Sequence, residues 1–181
     1  PHLGKNAISA AARIVQAIDH EQERISRLAP STSVGNGALS VTEISGGLAR
    51  NIIPDSCVLY AGRRTAPGED PMVIFDQLSD VVRKAALPLE VSIELANGMA
   101  SAAFYQDPQS PIVQTLARHS GCPPDVASYG SNALRYGEIA DEIVLFGPGS
   151  IDQAHQAVEW VTVEQLSKAA EIYRTLLTNV S

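Results

Sequence analysis

Cysteine, excess basic charge and long apolar runs are all scarce in this chain, and each shortage closes off a class of function. Only two cysteines, Cys57 and Cys122, occur in 181 residues, and they lie far apart. They have neither the number nor the spacing of a disulfide scaffold or a structural zinc site. Two isolated thiols are read as buried, free and kept reduced, so a cytoplasmic location is expected. Lys and Arg number 13 against 20 Asp and Glu, a net charge of -7. That balance gives nucleic acid no basic face to bind. No apolar run reaches the roughly 18 residues of a membrane-spanning helix. No secretory signal, internal repeat or low-complexity segment is visible. The chain starts at Pro1 rather than at a methionine, which is expected of a processed or truncated product.

What is present suits a folded protein of one ordinary domain or two small ones. Apolar residues make up 45% and charged residues 18%, enough for a core and not a disordered composition. Asn6 can cap a helix running to about Arg27, with Ile8, Ala11, Val15, Ile18 and Ile25 as its apolar stripe. Leu39, Val41 and Glu43 alternate with Ser40, Thr42 and Ile44, which predicts a strand ending at Gly46-Gly47. A second short strand is expected from Cys57 to Gly62. Asp70 and Pro71 are a cap followed by proline at the first helical position. Ile74, Leu78, Val81, Val82 and Ala85 continue that helix by their spacing. Val91, Ile93 and Leu95 alternate with Glu90, Ser92 and Glu94, the pattern of a half-buried strand.

The order is α-β-β-α-β. One further strand before Pro1 would complete β-α-β-β-α-β, the ferredoxin-like arrangement of two helices on an antiparallel sheet. The pattern changes at residues 96–99, so two domains are expected, 1–98 and 99–181. In the second, Ser110-Pro111 opens a helix that Gly121-Cys-Pro-Pro124 stops. Residues 124–128 and 142–146 read as neighbouring strands of an α/β sheet. Thr162 and Gln165 form a capping box. It opens a terminal helix with Leu166, Ala169, Ala170, Tyr173 and Leu176 on one face.

Chemistry is concentrated in Gly147-Pro148-Gly149-Ser150-Ile151-Asp152-Gln153-Ala154-His155, with Glu159 just beyond. An apolar run leads into a Gly-Pro-Gly turn that delivers a histidine, and strand-end turns are where function concentrates. Imidazole is a common metal ligand and an acid or base near neutral pH. A lone loop histidine is equally a hydrated surface residue. His2, His20 and His119 have no partners at ligand spacing and are read as surface residues.

This segment closely resembles the C-terminal metal-ligand segment of the zinc aminoacylase and peptidase family M20, above all its acetylornithine deacetylase branch. Four further stretches follow in the family's order. Pro1-His-Leu-Gly-Lys-Asn-Ala-Ile8 is similar to its P-x-x-G-x-N-A-I entry into the lid, or dimerisation, domain. Asn51-Ile-Ile-Pro54 is similar to N-x-I-P. Arg64 with Pro67-Gly68-Glu69 is similar to R-x-x-P-G-E. Gly130-Ser131-Asn132-Ala133 stands where many members read G-T-D-A.

The resemblance implies an α/β protein: a ferredoxin-like α+β lid followed by the C-terminal portion of an α/β zinc-peptidase catalytic domain. It implies a metal-dependent amidohydrolase that deacylates N-acyl amino acids, as in arginine biosynthesis. Within the family the alternative is a carboxypeptidase or dipeptidase acting on small peptides. Outside catalysis the alternative is a dimerisation module. It implies zinc as two divalent metals, with cobalt as a substitute, and a homodimer joined through the lid. His155 is the implied metal ligand. Arg64 is implied to bind the substrate carboxylate, for which a guanidinium fork is suited. Asn51 is implied to reach into the partner's active site. Gly130 and Ser131 are candidates for an anion-binding turn. The family's catalytic residues and remaining ligands lie before the position matched by Pro1, so the chain is expected to be inactive alone. Two departures stand out. Val158 replaces an acid of A-H-x-x-D-E, and Gly62 replaces an aspartate two positions before the arginine.

Overall fold

In the computed structural model, residues 4–96, 100–127, 129–137 and 139–178 are described. The Pro1–Leu3 start of the entry motif, His2, the boundary residues 97–99 and Ser128 lie outside them. The chain divides into two compact units, Pro1–Phe104 and Tyr105–Ser181.

The first unit opens with helix α1, Ala7–Ser26. Asn6 caps it, its Oδ1 accepting the Ser9 N–H at 3.1 Å. Ala11, Ile14, Ile18 and Ile25 are buried along one face. Their i, i+3, i+7 spacing puts Ile14 on the seam, and the expected Val15 falls on its flank, half-buried. Ile8, also expected inside, is 40% exposed. The far end is closed by Asn36, whose Nδ2 donates to the carbonyls of Ile25 and Leu28.

Strands β1 (Ala38–Gly46) and β2 (Cys57–Arg64) pair antiparallel, from Ala38 opposite Arg64 to Gly46 opposite Cys57. The register shifts between Val41 and Glu43. A bulge explains it: apolar residues fall at 39, 41 and 44, a phase slip of one that the extra residue absorbs. Ile44 thereby faces Leu59. The Thr42 hydroxyl donates to the Tyr60 carbonyl at 3.3 Å.

Helix α2, Pro71–Ala86, starts as the cap-plus-proline signature predicts. Asp70 Oδ1 accepts the N–H groups of Met72 and Val73. Ile14, Ile18, Ile25, Leu39 and Ala86 form the core, with Val41, Leu59, Leu78, Val82, Ala85 and Val91 packed on it. Helix α1 therefore packs on the antiparallel pair and α2 packs on α1, so that one apolar core joins both helices and the strands in an α+β unit.

The expected strand at 91–95 is not one. Its side chains do alternate between half-buried and exposed, yet no ladder pairs it with a described residue. Alternation specifies which face is apolar; a strand also needs a neighbour to take its backbone groups.

In the second unit, α3 (Pro111–Ser120) ends at Gly121, whose φ of 75° is the left-handed cap. Helix α4, Val163–Thr178, follows the capping box. The Gln165 N–H donates to Thr162 Oγ1 at 3.1 Å, and the Thr162 N–H donates to Gln165 Oε1 at 3.3 Å. Val113 and Leu116 of α3 are buried, as are Ala169 and Ile172 of α4. The buried face of α4 is thus rotated from the expected one: Ala170 and Tyr173 are exposed, and Leu166 is 47% exposed. Tyr173 is held instead by Phe146. The rings meet edge to face at 5.6 Å, and the phenol donates to the Phe146 carbonyl at 2.6 Å.

The strands expected at 124–128 and 142–146 are also absent among the described residues. The Ile143 N–H is met by a side chain, Gln106 Oε1 at 3.0 Å, rather than by a neighbouring strand. A short apolar run marks burial but carries no information on its pairing partner. Both thiols are free, but neither is buried: Cys57 is half-buried and Cys122 exposed. Each sits beside a turn, where a small side chain packs on only one side.

Candidate functional site

In the first unit, Asn51 lies exposed on the loop joining β1 to β2. The Ile52 N–H donates to the Ala49 carbonyl at 3.2 Å, closing a turn around it. Pro54 ties the loop to the start of α1, its carbonyl accepting the Ala7 N–H at 2.9 Å. Arg64 is exposed at the other end of the hairpin, opposite Ala38. Seven residues of β2 separate it from the loop end, about 23 Å at roughly 3.3 Å per residue. The fold therefore keeps Asn51 and Arg64 of one chain apart.

The strand end carrying Arg64 is held from both sides. Arg63, the neighbour of Arg64 on β2, is largely enclosed. Its side chain is 11% exposed, and it donates to both Glu69 oxygens at 2.8 Å. Its other terminal nitrogen donates to the Arg64 carbonyl. Glu69 Oε2 also accepts the Ala66 N–H at 2.6 Å, which fixes the Pro67-Gly68 turn. On the next residue, the Thr65 hydroxyl accepts the Ala103 N–H at 3.1 Å. The acid that closes R-x-x-P-G-E thus organises the backbone around the arginine.

In the second unit, Ser131 caps a 3-10 turn, Asn132–Arg135, by accepting the Ala133 N–H at 3.1 Å. That uses a lone pair and leaves the hydroxyl proton to donate. Gly130 beside it is exposed. The Gly-Pro-Gly segment leads through Gly149, φ 94°, into a 3-10 turn at Ile151–Gln153. Ser150 accepts the Asp152 N–H at 3.2 Å, and its hydroxyl donates to Asp152 Oδ2 at 3.1 Å. Ala154 is extended, and His155 then takes φ 62°, the left-handed region. The His155 N–H donates to Glu159 Oε1 at 2.6 Å. Its imidazole is exposed and makes no hydrogen bond to a described residue.

The expected surface histidines His20 and His119 are exposed. Catalytic zinc sites take about three protein ligands. Among the described residues, no three His, Cys, Asp or Glu side chains come together where they could hold a metal ion. The donors among the described residues therefore do not gather into a metal site by themselves, and His155 offers a single nitrogen. No described helix is long and apolar enough to cross a membrane.

Residues 1–90 match the family described as a peptidase dimerisation domain. The chain is 31% identical over 183 residues to an acetylornithine deacetylase from Myxococcus xanthus, spanning 95% of the chain and 46% of that protein. It is 27% identical over 199 residues to a protein described as "Probable carboxypeptidase" from Arthroderma gypseum, spanning 100% of the chain and 42% of the relative. Among solved structures, an aminobenzoyl-glutamate utilization protein from Klebsiella pneumoniae matches with a TM-score of 0.47 and 26% identity, over 68% of this chain and 29% of that one. The chain thus spans less than half the length of the curated relatives it matches.

Proposed function

This chain belongs to the M20 peptidase family, and on that premise we propose that it supplies the lid and the C-terminal part of the catalytic domain of a metal-dependent amidohydrolase. Its substrates are N-acyl amino acids, and the reaction is deacylation. Residues 1–98 are the lid, through which two copies associate, and 99–181 contribute to the catalytic domain of a cytoplasmic enzyme.

The observation that carries the reading is His155. Its exposed imidazole, unused by any described residue, stands on a loop whose hydrogen bonds are already closed around it. A surface residue with no task gains nothing from a backbone held in the left-handed region, which costs about 1–3 kcal/mol. We assign His155 as one ligand among several of a zinc or cobalt site, Arg64 as the clamp for the substrate carboxylate, and Gly130 with Ser131 as a second anion-binding turn. Asn51 serves the site of the opposite copy, a role that its separation from Arg64 supports.

The test uses the full-length metalloenzyme. Replacing His155 by Ala should lower both metal content, read by mass spectrometry, and turnover of N-acetyl amino acids by orders of magnitude. Full metal and near-normal turnover would falsify the ligand assignment. The 181-residue chain by itself should show no turnover with added zinc or cobalt, since its described residues gather no three ligands.

A second reading within the family is a carboxypeptidase, favoured by the relatives described that way that align over 98% or more of the chain. Parallel assays on N-acetyl amino acids and on dipeptides with a free C-terminus separate the two.

A further inference from the structure

Glu159 lies four residues beyond His155, on an exposed stretch where an acidic side chain reads as solvated. Its geometry says otherwise. Oε1 accepts the His155 backbone N–H at 2.6 Å, a short, charge-assisted bond. Among the described residues, His155 is also the one residue other than glycine with a positive φ, at 62°. Histidine enters that region more readily than most side chains, but only when surrounding structure holds it there.

The rest of the loop explains why Glu159 is needed. From Ser150 to Ala154 the backbone is closed by its own turn: the Gln153 N–H donates to the Ser150 carbonyl and the Ala154 N–H to the Ile151 carbonyl. Those bonds end one residue short of the histidine. The Gln156 side chain reaches back to the Asp152 carbonyl at 3.4 Å, at the edge of a hydrogen bond. The Glu159 carboxylate is the group recorded on the His155 amide itself. Turning His155 to negative φ would reorient its N–H and break this bond, and it would swing the Cα–Cβ bond that aims the imidazole.

We propose that Glu159 is a positioning residue for His155: its carboxylate clasps the His155 N–H, holds the left-handed backbone and so sets the direction in which the imidazole is presented. The inference rests on the reading of His155 as a metal ligand for its purpose, though not for its geometry. It gives Glu159 a role distinct from binding metal, because one oxygen is already committed to the backbone. It also explains how the loop retains its shape with Val158 where the family has a further acid.

The test is amide hydrogen exchange and backbone chemical shifts of His155 in the 181-residue chain, comparing wild type with Glu159→Ala and Glu159→Gln. Glutamine keeps a carbonyl acceptor in the same place. Glu159→Ala should speed exchange of the His155 amide by about tenfold and move its carbon shifts out of the left-handed range. Glu159→Gln should restore most of both, which a loss of general loop stability would not do. Unchanged exchange and shifts in Glu159→Ala would overturn the proposal. So would equal loss in the two variants accompanied by changed shifts at Ser150 and Asp152, since the loop would then be unfolding as a whole. No metal enters this readout, so its failure is distinct from failure of the ligand reading, which is judged by the metal content of His155→Ala.

Discussion

Asn51 and Arg64 stand at opposite ends of one β-hairpin, Asn51 on the connecting loop past the Gly46–Cys57 pair and Arg64 opposite Ala38. Helix α1 spans the same interval. Its start is tied to the Asn51 loop through Pro54, and Gln22 near its end accepts the Leu39 N–H at 2.6 Å. Both residues are proposed to touch substrate, yet a small N-acyl amino acid cannot bridge about 23 Å of strand.

A mixed dimer tests how they share work. If each site takes Arg64 from its own chain and Asn51 from the other, a dimer of Asn51→Ala with Arg64→Ala holds one intact site. Random mixing of the two impaired full-length variants, assayed on a free-carboxylate substrate well below KM, should then recover about a quarter of wild-type activity, because half the dimers are mixed and each has one good site of two. Placing both substitutions in one chain and mixing it with wild type gives no wholly intact site in the mixed dimer. Failure of the first mixture to recover any activity would show that the two residues do not serve one site from separate chains.

Arg64→Ala and Glu69→Ala should differ in kind. In the full-length enzyme, Arg64→Ala removes the proposed carboxylate clamp, so KM should rise most for substrates with a free α-carboxylate and little for their esters. Glu69→Ala leaves Arg63 largely enclosed without its partner and frees the Ala66 N–H. For a pair between the surface and buried limits, a loss of about 1–3 kcal/mol is expected. Urea unfolding of the first unit measures it, and an unchanged midpoint would mean that the pair contributes nothing net.

Two glycines of the hairpin region should respond with opposite signs. A Cβ on Gly37 would strike the Arg63 guanidinium and, less yieldingly, the Arg64 carbonyl. Gly37→Ala should destabilise the unit by about 1–3 kcal/mol. Gly62 has open space around a built Cβ and no positive φ. Gly62→Ala should leave stability unchanged or raise it by up to about 1 kcal/mol, since alanine loses less chain entropy on folding. Denaturant midpoints of the two variants, measured side by side, give the comparison.

Arg13 of α1 closes the C-terminal end of α2. Its Nε donates to the Ala85 carbonyl at 3.1 Å, and one terminal nitrogen donates to those of Ala86 and Leu87 at 3.2 and 3.1 Å. These carbonyls have no partner within the helix, and a cation there also opposes the negative end of the helix dipole. Because Arg13 is largely in water, Arg13→Ala should cost only about 1 kcal/mol, and Arg13→Lys should recover part of it. Faster amide exchange confined to the last turn of α2 is the expected sign. Uniform loss throughout the unit would point to lost packing instead.

Local features were legible in the sequence because their causes are local. Asn6, Asp70 with Pro71, and Thr162 with Gln165 each satisfy backbone groups within three residues, and all three open helices as expected. The hairpin was legible too, since alternation and glycines specify it over short range. The motifs around Asn51, Arg64, Gly130, Ser131 and His155 identified the family, because a string in order carries its own recognition. What only the tertiary structure decided depends on distant neighbours. Residues 91–95 carry a strand's alternation but have no ladder among the described residues, and 142–146 meets a glutamine where a strand was expected. The seam of α1 settled on Ile14 because Leu39 and Ala86 arrive there from elsewhere in the chain. Glu69's grip on Arg63 required the turn between them to fold. The left-handed backbone of His155 needed Glu159 brought back onto its N–H. Side-chain identity sets which bonds a residue can make; which partner comes within 3 Å is set by the path of the whole chain.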